Sequence, residues 1–294
     1  MATSRPRLLT IGMLLLTGIL SLNALAAPED KPPFYKISYQ GKQAYLLGSV
    51  HVGLADFYPM APQIEAAFAE AGALAVEADT SKADIMGLIR QYGLTQVTAD
   101  AKTQARMQHF CQNRAELCNQ LQPYSPWMQA MQLSVMRFSA LGYQAQWGVD
   151  QVLQGKNGSR PVIELESTEF QFQLMASFNA NTQWEMVLEA IDAPDDEMQQ
   201  LIKAWRSGDE AALDDLMQGQ MLHDGDQALI DKMLWQRNEQ MTTKILSLMT
   251  NQTTPSPLFV VVGAGHVVGD KGIPAKFSRI EGVKVQNCWQ QACN

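Results

Sequence analysis

The strongest fold signal in the chain is an apolar run that leads directly into a Gly-x-x-His motif: Phe259-Val260-Val261-Val262-Gly263-Ala264-Gly265-His266. A short run of β-branched and aromatic residues that ends in glycine is typical of a buried strand. The same pattern occurs much earlier, in Tyr45-Leu46-Leu47-Gly48-Ser49-Val50-His51. Both histidines are therefore predicted to follow strand ends. The glycine before each is expected to allow a tight turn with unusual backbone angles and to leave room beside the main chain.

Strand and helix patterns alternate around these two runs. Strands are predicted over residues 34–39, 43–47, 73–76, 161–165, 258–262 and 283–286. The first two flank a turn and predict a β-hairpin, and a helix over residues 62–71 follows the second. A strand, helix, strand order is typical of a parallel pair. With long helical patterns over residues 82–141 and 168–248, the sequence predicts one α/β domain. We expect a mixed, mainly parallel sheet, helices on both faces and a large helical insertion.

Residues 1–26 have the pattern of a secretory signal peptide. Arg5 and Arg7 precede an apolar stretch, and Ala24-Leu25-Ala26 fits a cleavage site. Polar residues interrupt the apolar stretch, which argues against a membrane anchor. The predicted mature chain, residues 27–294, has no later run of 18 apolar residues. We therefore expect a secreted or periplasmic protein with no stable membrane insertion after cleavage.

The charge of the chain disfavours a polyanionic partner. Lys and Arg number 22 against 30 Asp and Glu, for a formal charge of −8, and loss of Arg5 and Arg7 makes it −10. Nucleic acid is therefore not an expected partner. A peptide or a small molecule is the expected substrate.

The four cysteines, Cys111, Cys118, Cys288 and Cys293, fit an oxidising compartment and allow three pairings. On one unbroken helix the first two would lie about 10.5 Å apart, beyond the reach of a disulfide. Either the helix breaks between them or they pair elsewhere. Two local bridges are favoured, because each pair is close in sequence.

Four ionisable side chains follow predicted strand ends: His51, Glu77, Glu166 and His266. In open parallel sheets the ligand crevice lies outside the carboxyl ends of the strands, so we expect these side chains to share one site. For either histidine alone, a bond to the backbone at a strand end is the simpler explanation. Two histidines together with two carboxylates favour a site.

Arg237 and Asn238 lie on a helical pattern further along the chain. The helix places Arg237 in line with an apolar stripe, on the face that should be buried, and a buried guanidinium needs an anionic partner. An exposed helix end is the alternative. Asn238 is expected to orient a carboxylate or a water. The apolar stripe consists of Ile230, Leu234, Met241 and Ile245.

Asp150 follows Trp147-Gly148-Val149 at a predicted junction between a loop and a helix. Taken alone, it is a first-turn carboxylate favoured by the helix dipole. Together with Asn238 it is assigned to substrate binding.

The order of these short motifs resembles the TraB/GumN family, which is related to the animal TIKI proteases and more distantly to erythromycin esterase and the haem-binding ChaN proteins. The resemblance covers most of the predicted mature chain and implies a fold like that of the last two. The motifs are Leu47-Gly48-Ser49-Val50-His51, Val76-Glu77-Ala78-Asp79, Gly148-Val149-Asp150, Glu164-Leu165-Glu166, Gln236-Arg237-Asn238 and Gly263-Ala264-Gly265-His266.

The resemblance to the TIKI proteases implies a metal-dependent hydrolase in which His51, His266 and Glu77 act. The leading hypothesis is that these residues bind a divalent ion such as Mn²⁺, Co²⁺ or Zn²⁺, whose bound water attacks an amide or ester. Glu77 is then third ligand or general base, Glu166 is a further catalytic carboxylate, and Arg237 stabilises an oxyanion or holds a substrate carboxylate.

Two other hypotheses stay open at this point. The resemblance to erythromycin esterase implies a metal-independent hydrolase, with His51 as general base oriented by Glu77. The third hypothesis is a binding protein that holds a peptide or a small ligand such as haem, without turnover.

Overall fold

The two Gly-x-x-His motifs lie beside each other in the fold, each at the end of a central strand. A computed structural model describes residues 29–221 and 227–293 of the chain, so the predicted signal peptide lies outside the described residues. In chain order the strands are β1 (Phe34–Tyr39), β2 (Lys42–Ser49), β3 (Ala73–Val76), β4 (Val162–Glu164), β5 (Leu258–Gly263) and β6 (Lys284–Asn287).

The described strands form one mixed sheet in the order β4-β3-β5-β2-β1-β6. The four strands from β4 to β2 run parallel, and β1 pairs antiparallel with both β2 and β6. Gln40 and Gly41 both have positive φ, 48° and 77°, as a two-residue hairpin turn between β1 and β2 requires. The register pairs Ser49 with Gly263, which brings the two motifs to the same edge. The expected α/β class with a mainly parallel sheet is confirmed.

Thirteen α-helices connect and cover the described strands. Proline at its first position begins α1, and Ser167 caps the start of α7 by accepting a hydrogen bond from the N–H of Phe170. The helices are α1 (Pro62–Glu70), α2 (Ile85–Tyr92), α3 (Ala101–Cys111), α4 (Ala115–Leu121), α5 (Pro126–Ala140), α6 (Val149–Lys156), α7 (Thr168–Ala176), α8 (Ala180–Asp192), α9 (Asp195–Ser207), α10 (Glu210–Met221), α11 (Gln227–Ile230), α12 (Gln236–Thr250) and α13 (Ile273–Phe277).

Alternate side chains of the strands enter two cores, one on each face of the sheet. Leu47, Val76 and Val261 pack on one face against α1, α6 and α9. Leu46 and Val260 pack on the other face against α12 and α13. Helices therefore cover both faces, as the sequence predicts. A third cluster of buried residues joins α4, α5 and α8 away from the sheet, in the region expected to be a helical insertion.

Two disulfides connect cysteines that are close in sequence. Cys111 is bonded to Cys118, and Cys288 to Cys293, which are the two local pairings predicted. The first is formed because the helix breaks between α3 and α4. Across residues 29–221 and 227–293, no helix is both long enough and apolar enough to cross a bilayer.

Candidate active site

The carboxyl ends of the four parallel strands bring together the ionisable side chains expected there. His51 follows β2, Glu77 follows β3, Glu166 follows β4 and His266 follows β5. The last of these lies in a single 3₁₀ turn, Ala264–His266, entered directly from the strand. Since these strands are hydrogen-bonded neighbours, short loops suffice to place all four residues at one edge.

Gly263 marks the point on which three of these side chains converge. A Cβ added there would lie 3.2 Å from Oε1 of Glu77, 3.7 Å from Cδ2 of His266 and 3.8 Å from Nε2 of His51. The expected role of the motif glycines needs a correction. Neither Gly48 nor Gly263 has a positive φ, so unusual backbone angles are not their reason. At Gly48 an added Cβ would lie 3.1 Å from a side-chain carbon of Pro33 and 3.2 Å from Cα of Ala264, so both glycines serve close approach.

Glu77 is a buried carboxylate whose two oxygens have different partners. Oε1 accepts a 2.6 Å hydrogen bond from the N–H of Gly263, and Oε2 accepts one of 2.6 Å from Arg237. Burial alone raises the pKa of Glu77, but the facing His266, Arg237 and His51 and the Gly263 N–H outweigh it and bring the pKa to about 2. Glu77 is therefore ionised at any physiological pH.

Arg237 is buried, and it has the anionic partners that its place on the apolar stripe predicts. Nε and Nη2 donate to the two oxygens of Glu166 at 2.8 and 2.7 Å, Nη2 also donates to Glu77, and Nη1 donates to the carbonyl of Met233 at 2.9 Å. That carbonyl belongs to a π-helical turn, Asp231–Trp235, which precedes α12. These bonds use four of the five guanidinium N–H groups. Arg237 therefore positions the two carboxylates. Its expected contact with an oxyanion or a substrate carboxylate stays a prediction.

Gln171 is a site residue that the sequence patterns do not single out. Its side-chain amide lies on the first turns of α7 and donates to Glu77 and to Glu166, each at 3.2 Å. A glutamine within a helical pattern carries no signal of its own. The one hint in the sequence is that Gln171 lies five residues after Glu166. At 3.6 residues per turn this is about one and a half helical turns, close enough for its side chain to return to the same edge.

His266 is buried and held through its Nδ1 atom. Nδ1 lies 2.6 Å from Oδ1 of Asn238, while the amide nitrogen of Asn238 donates to the carbonyl of Lys271 at 3.0 Å. Nε2 faces Oε1 of Glu77 at 3.6 Å. Burial lowers the pKa of His266 to about 4, so the ring is neutral at pH 7. Asn238 therefore contacts a histidine, and not the carboxylate or water expected; its role in substrate binding stays a prediction.

His51 is the exposed member of the site, with 72% of its side chain accessible. Its Nδ1 lies 2.9 Å from Oδ2 of Asp150, and Oδ1 of Asp150 accepts a 2.9 Å bond from the hydroxyl of Ser49. The charge of Asp150 and this hydrogen bond raise the pKa of His51 to about 9. The residue that orients His51 is thus Asp150, which corrects the expectation that Glu77 does so.

Asp150 reaches His51 because the start of α6 packs on the first motif. The N–H of Val149 donates to the carbonyl of Val50 at 2.9 Å. An added Cβ at Gly148 would lie 2.4 Å from the carbonyl oxygen of His51, so only glycine fits there. Asp150 is an acidic residue in the first turn of α6, as the sequence pattern alone indicates. It is also part of the site. A substrate-binding role for it stays a prediction.

The ionisable side chains described at this edge do not form a complete set of metal ligands. Within the described ranges, no group of three or more His, Cys, Asp and Glu side chains is arranged so that it could hold a metal ion. The pair closest to that arrangement at this edge, His266 Nε2 and Glu77 Oε1, is separated by 3.6 Å. Nε2 of His51 lies 3.8 Å from the Cβ position of Gly263, and the His51 side chain is mostly exposed.

Comparison with known proteins places the chain in a family. The sequence model of the TraB/PrgY/gumN family matches residues 33–286, so the chain belongs to that family, and the resemblance seen in the motifs is confirmed. The chain is 26% identical to the "Uncharacterized protein YbaP" of Shigella flexneri over 246 residues, which cover 79% of this chain and 87% of the relative. It is also 26% identical to the protein of that name in Escherichia coli (strain K12) over 256 residues, 82% and 90% of the two chains. No solved structure matches with comparable significance.

Proposed function

We propose that the protein is a hydrolase of amide or ester bonds, and that a divalent ion such as Mn²⁺, Co²⁺ or Zn²⁺ binds at His266, Glu77 and His51. The observation that carries the proposal is the pair of atoms at its centre. Nε2 of a neutral His266 and Oε1 of an ionised Glu77 face each other at 3.6 Å. With the ring proton on Nδ1, where Oδ1 of Asn238 lies 2.6 Å away, both atoms present lone pairs to each other, and a cation bound by both would satisfy them.

Two of the three proposed donors, His266 and Glu77, already have a spacing that fits a divalent cation, and the whole donor set fits it in chemistry. Two ligands about 2.1 Å from a tetrahedral ion lie about 3.4 Å apart, close to the observed separation of 3.6 Å. Imidazole nitrogens with carboxylate oxygen suit Zn²⁺, Co²⁺ and Mn²⁺, in contrast to ions that prefer thiolates. When bound, such an ion supplies a water acidic enough to attack a carbonyl carbon.

The chain's own residues prepare the site. Arg237 and the Gly263 N–H keep Glu77 ionised and fixed in place. Asp150 holds Nδ1 of His51, so that Nε2 is the nitrogen that lies beside Gly263. Glu166 shares Arg237 with Glu77 and is 3% exposed, which supports a role in holding the arginine and leaves little of it for contact with substrate.

A second candidate function, metal-independent hydrolysis, is favoured by the pairing of His51 with Asp150. An exposed imidazole with a carboxylate behind its Nδ1 is the arrangement of a general base or acid. Because the pKa of His51 is about 9, the ring is mostly an imidazolium at neutral pH, stabilised by Asp150. Nε2 of His51 then donates a proton to the leaving group, and it acts as a base toward water only as the pH rises.

The surroundings proposed for this activity are those of an exported protein that acts on a peptide or small molecule. The Arg5 and Ala24-Leu25-Ala26 pattern supports removal of a signal peptide. Disulfides that close both cysteine pairs support an oxidising compartment, secreted or periplasmic.

The two mechanisms are separated by metal analysis of protein purified without chelators, paired with a peptide and ester screen. We expect about one equivalent of ion in the wild type and a loss of about 100-fold or more in Mn²⁺ affinity in His51→Ala. Because the His51 side chain is mostly exposed, the thermal midpoint of the His51→Ala protein should equal that of the wild type. His109→Ala removes another exposed histidine, on α3, and serves as the matched control.

Each outcome decides between the candidates. If the chelated protein keeps full turnover and Asp150→Asn lowers it about 100-fold or more, the metal-independent mechanism holds. Saturable binding of a peptide or of haem without product would favour the binding protein. If His51→Ala is fully active on a substrate that the wild type cleaves, the site assignment is wrong.

A further inference from the structure

The amide of Asn238 stands between two groups that define its orientation. A backbone carbonyl can only accept a hydrogen bond, so the atom 3.0 Å from the carbonyl of Lys271 must be the amide nitrogen. The atom that faces Nδ1 of His266 at 2.6 Å is then the amide oxygen. An amide oxygen also only accepts, so Nδ1 of His266 must carry the ring proton.

This hydrogen-bond order determines which nitrogen of His266 is free. With the proton on Nδ1, the neutral ring presents the lone pair of Nε2 to Oε1 of Glu77. Without an acceptor at Nδ1, the proton can move to Nε2 and be donated to Glu77, which would occupy the face where both lone pairs now point. Asn238 is 1% exposed and His266 4%, so water does not readily replace the amide.

Lys271, which accepts the hydrogen bond from the Asn238 amide through its backbone carbonyl, is itself held by a second contact. Its ammonium lies 3.0 Å from the ring centroid of Trp235. Trp235 ends the π-helical turn and lies three residues before Asn238. A cation over an aromatic ring is attracted to its face. The loop after His266 is therefore fastened to the start of α12 at two points.

We propose that Asn238 is a positioning residue that holds His266 in the Nδ1–H tautomer, and that the Lys271–Trp235 contact keeps the Asn238 amide in the required orientation. The inference rests on the proposed function for its purpose, since a free Nε2 is what a metal ligand needs. Its geometry is independent of that function. Buried hydrogen-bond partners of ligating histidines typically change metal affinity 10–100-fold when they are removed.

The test is nitrogen NMR of the metal-free, histidine-labelled protein at pH 7, followed by Mn²⁺ titration. In the wild type and in Asn238→Asp, which keeps an acceptor oxygen, we expect the proton of His266 on Nδ1. In Asn238→Ala we expect it on Nε2, with Mn²⁺ affinity reduced about 10–100-fold. Thermal melting of each variant shows whether the fold is kept, and Asn238→Ser keeps the measurement possible if the alanine variant does not fold.

Lys271→Met tests the second contact, with Lys244→Met on the exposed face of α12 as its matched control. We expect the Nδ1 proton of His266 to exchange with solvent about tenfold faster in Lys271→Met than in the wild type or the control. Equal rates would overturn the role of Lys271.

A wild-type His266 protonated on Nε2, or a tautomer unchanged in Asn238→Ala, would overturn the role of Asn238 whether or not the protein binds metal. A wild type that has the Nδ1–H tautomer but binds no Mn²⁺ would instead count against the proposed function alone.

Discussion

Replacement of Arg237 by methionine tests whether the buried ion cluster organises the site. Methionine keeps much of the side-chain length and removes the charge, leaving Glu77 and Glu166 without their shared counter-ion. Their side chains are only 10% and 3% exposed. Removal of one partner from a buried ion pair costs about 3–5 kcal/mol. We expect Arg237→Met to lower the free energy of unfolding by about that amount at pH 7.

The pH dependence of this loss follows from the sign of the pKa shift. In the wild type the pKa of Glu77 is lowered from 4.5 to about 2, so ionised Glu77 contributes to the stability of the folded state. That contribution is fully present above pH 4.5 and is lost as the pH falls toward 2. In the variant, burial and the neighbouring carboxylate of Glu166 raise the pKa of Glu77. Protonation of Glu77 then stabilises the folded state of the variant. The difference in the free energy of unfolding between variant and wild type should therefore narrow as the pH falls from 7 to 5.

The assay is urea unfolding of chelated protein, followed by tryptophan fluorescence at several pH values. Arg90→Met is the matched control, because Arg90 is exposed and lies 4.0 Å from its partner Asp84; we expect a change within about 0.5 kcal/mol. The double variant Arg237→Met/Glu166→Gln should regain part of the lost free energy of unfolding, because it removes one of the two buried charges that have no counter-ion. A variant as stable as the wild type at every pH would refute the cluster's role.

Two further predictions concern the motif glycine and the C-terminal disulfide. Gly263→Ala places a methyl group among the three converging side chains, so Mn²⁺ affinity should fall about tenfold or more with little change in the thermal midpoint. Gly155→Ala is the control, because its added Cβ meets nothing within 4 Å. It should bind Mn²⁺ normally and raise the free energy of unfolding by up to about 1 kcal/mol. Loss of the disulfide between Cys288 and Cys293 removes about 2 kcal/mol of chain-entropy stabilisation. Replacing both by serine should lower the free energy of unfolding by more than this, because the carbonyl of Cys293 also accepts a hydrogen bond from the ammonium of buried Lys36. A loss below about 2 kcal/mol in urea unfolding would contradict it.

The parallel part of the sheet could be predicted from the sequence because its four strands are short apolar runs that lead into glycine or acidic residues. Every predicted strand is present, with bounds that differ by at most two residues. Residues that follow parallel strand ends share an edge by topology alone, which is why His51, Glu77, Glu166 and His266 could be grouped. The burial of Arg237 also followed, because helical periodicity places it on the apolar stripe.

The partners of the histidines could not be predicted, because they depend on tertiary packing. His51 and Asp150 are 99 residues apart and meet only where α6 packs on the first motif. Local sequence explains Asp150 equally well as a helix-start carboxylate. Asn238 and His266 are 28 residues apart and lie on different elements. Sequence patterns report which face of an element is buried, and they do not report which polar atoms meet across an interface.

Charge balance at the site adds an independent reason to expect a cation there. Glu77, Glu166 and Asp150 are three carboxylates, and Arg237 is the guanidinium among them. With both histidines neutral, this group therefore carries two negative charges. Protonation of His51, whose pKa is about 9, offsets one of them in the metal-free protein. A divalent ion that takes the place of this proton leaves the group neutral. Metal binding should then release about one proton per ion near pH 7, and calorimetry in buffers of different ionisation enthalpy would count it.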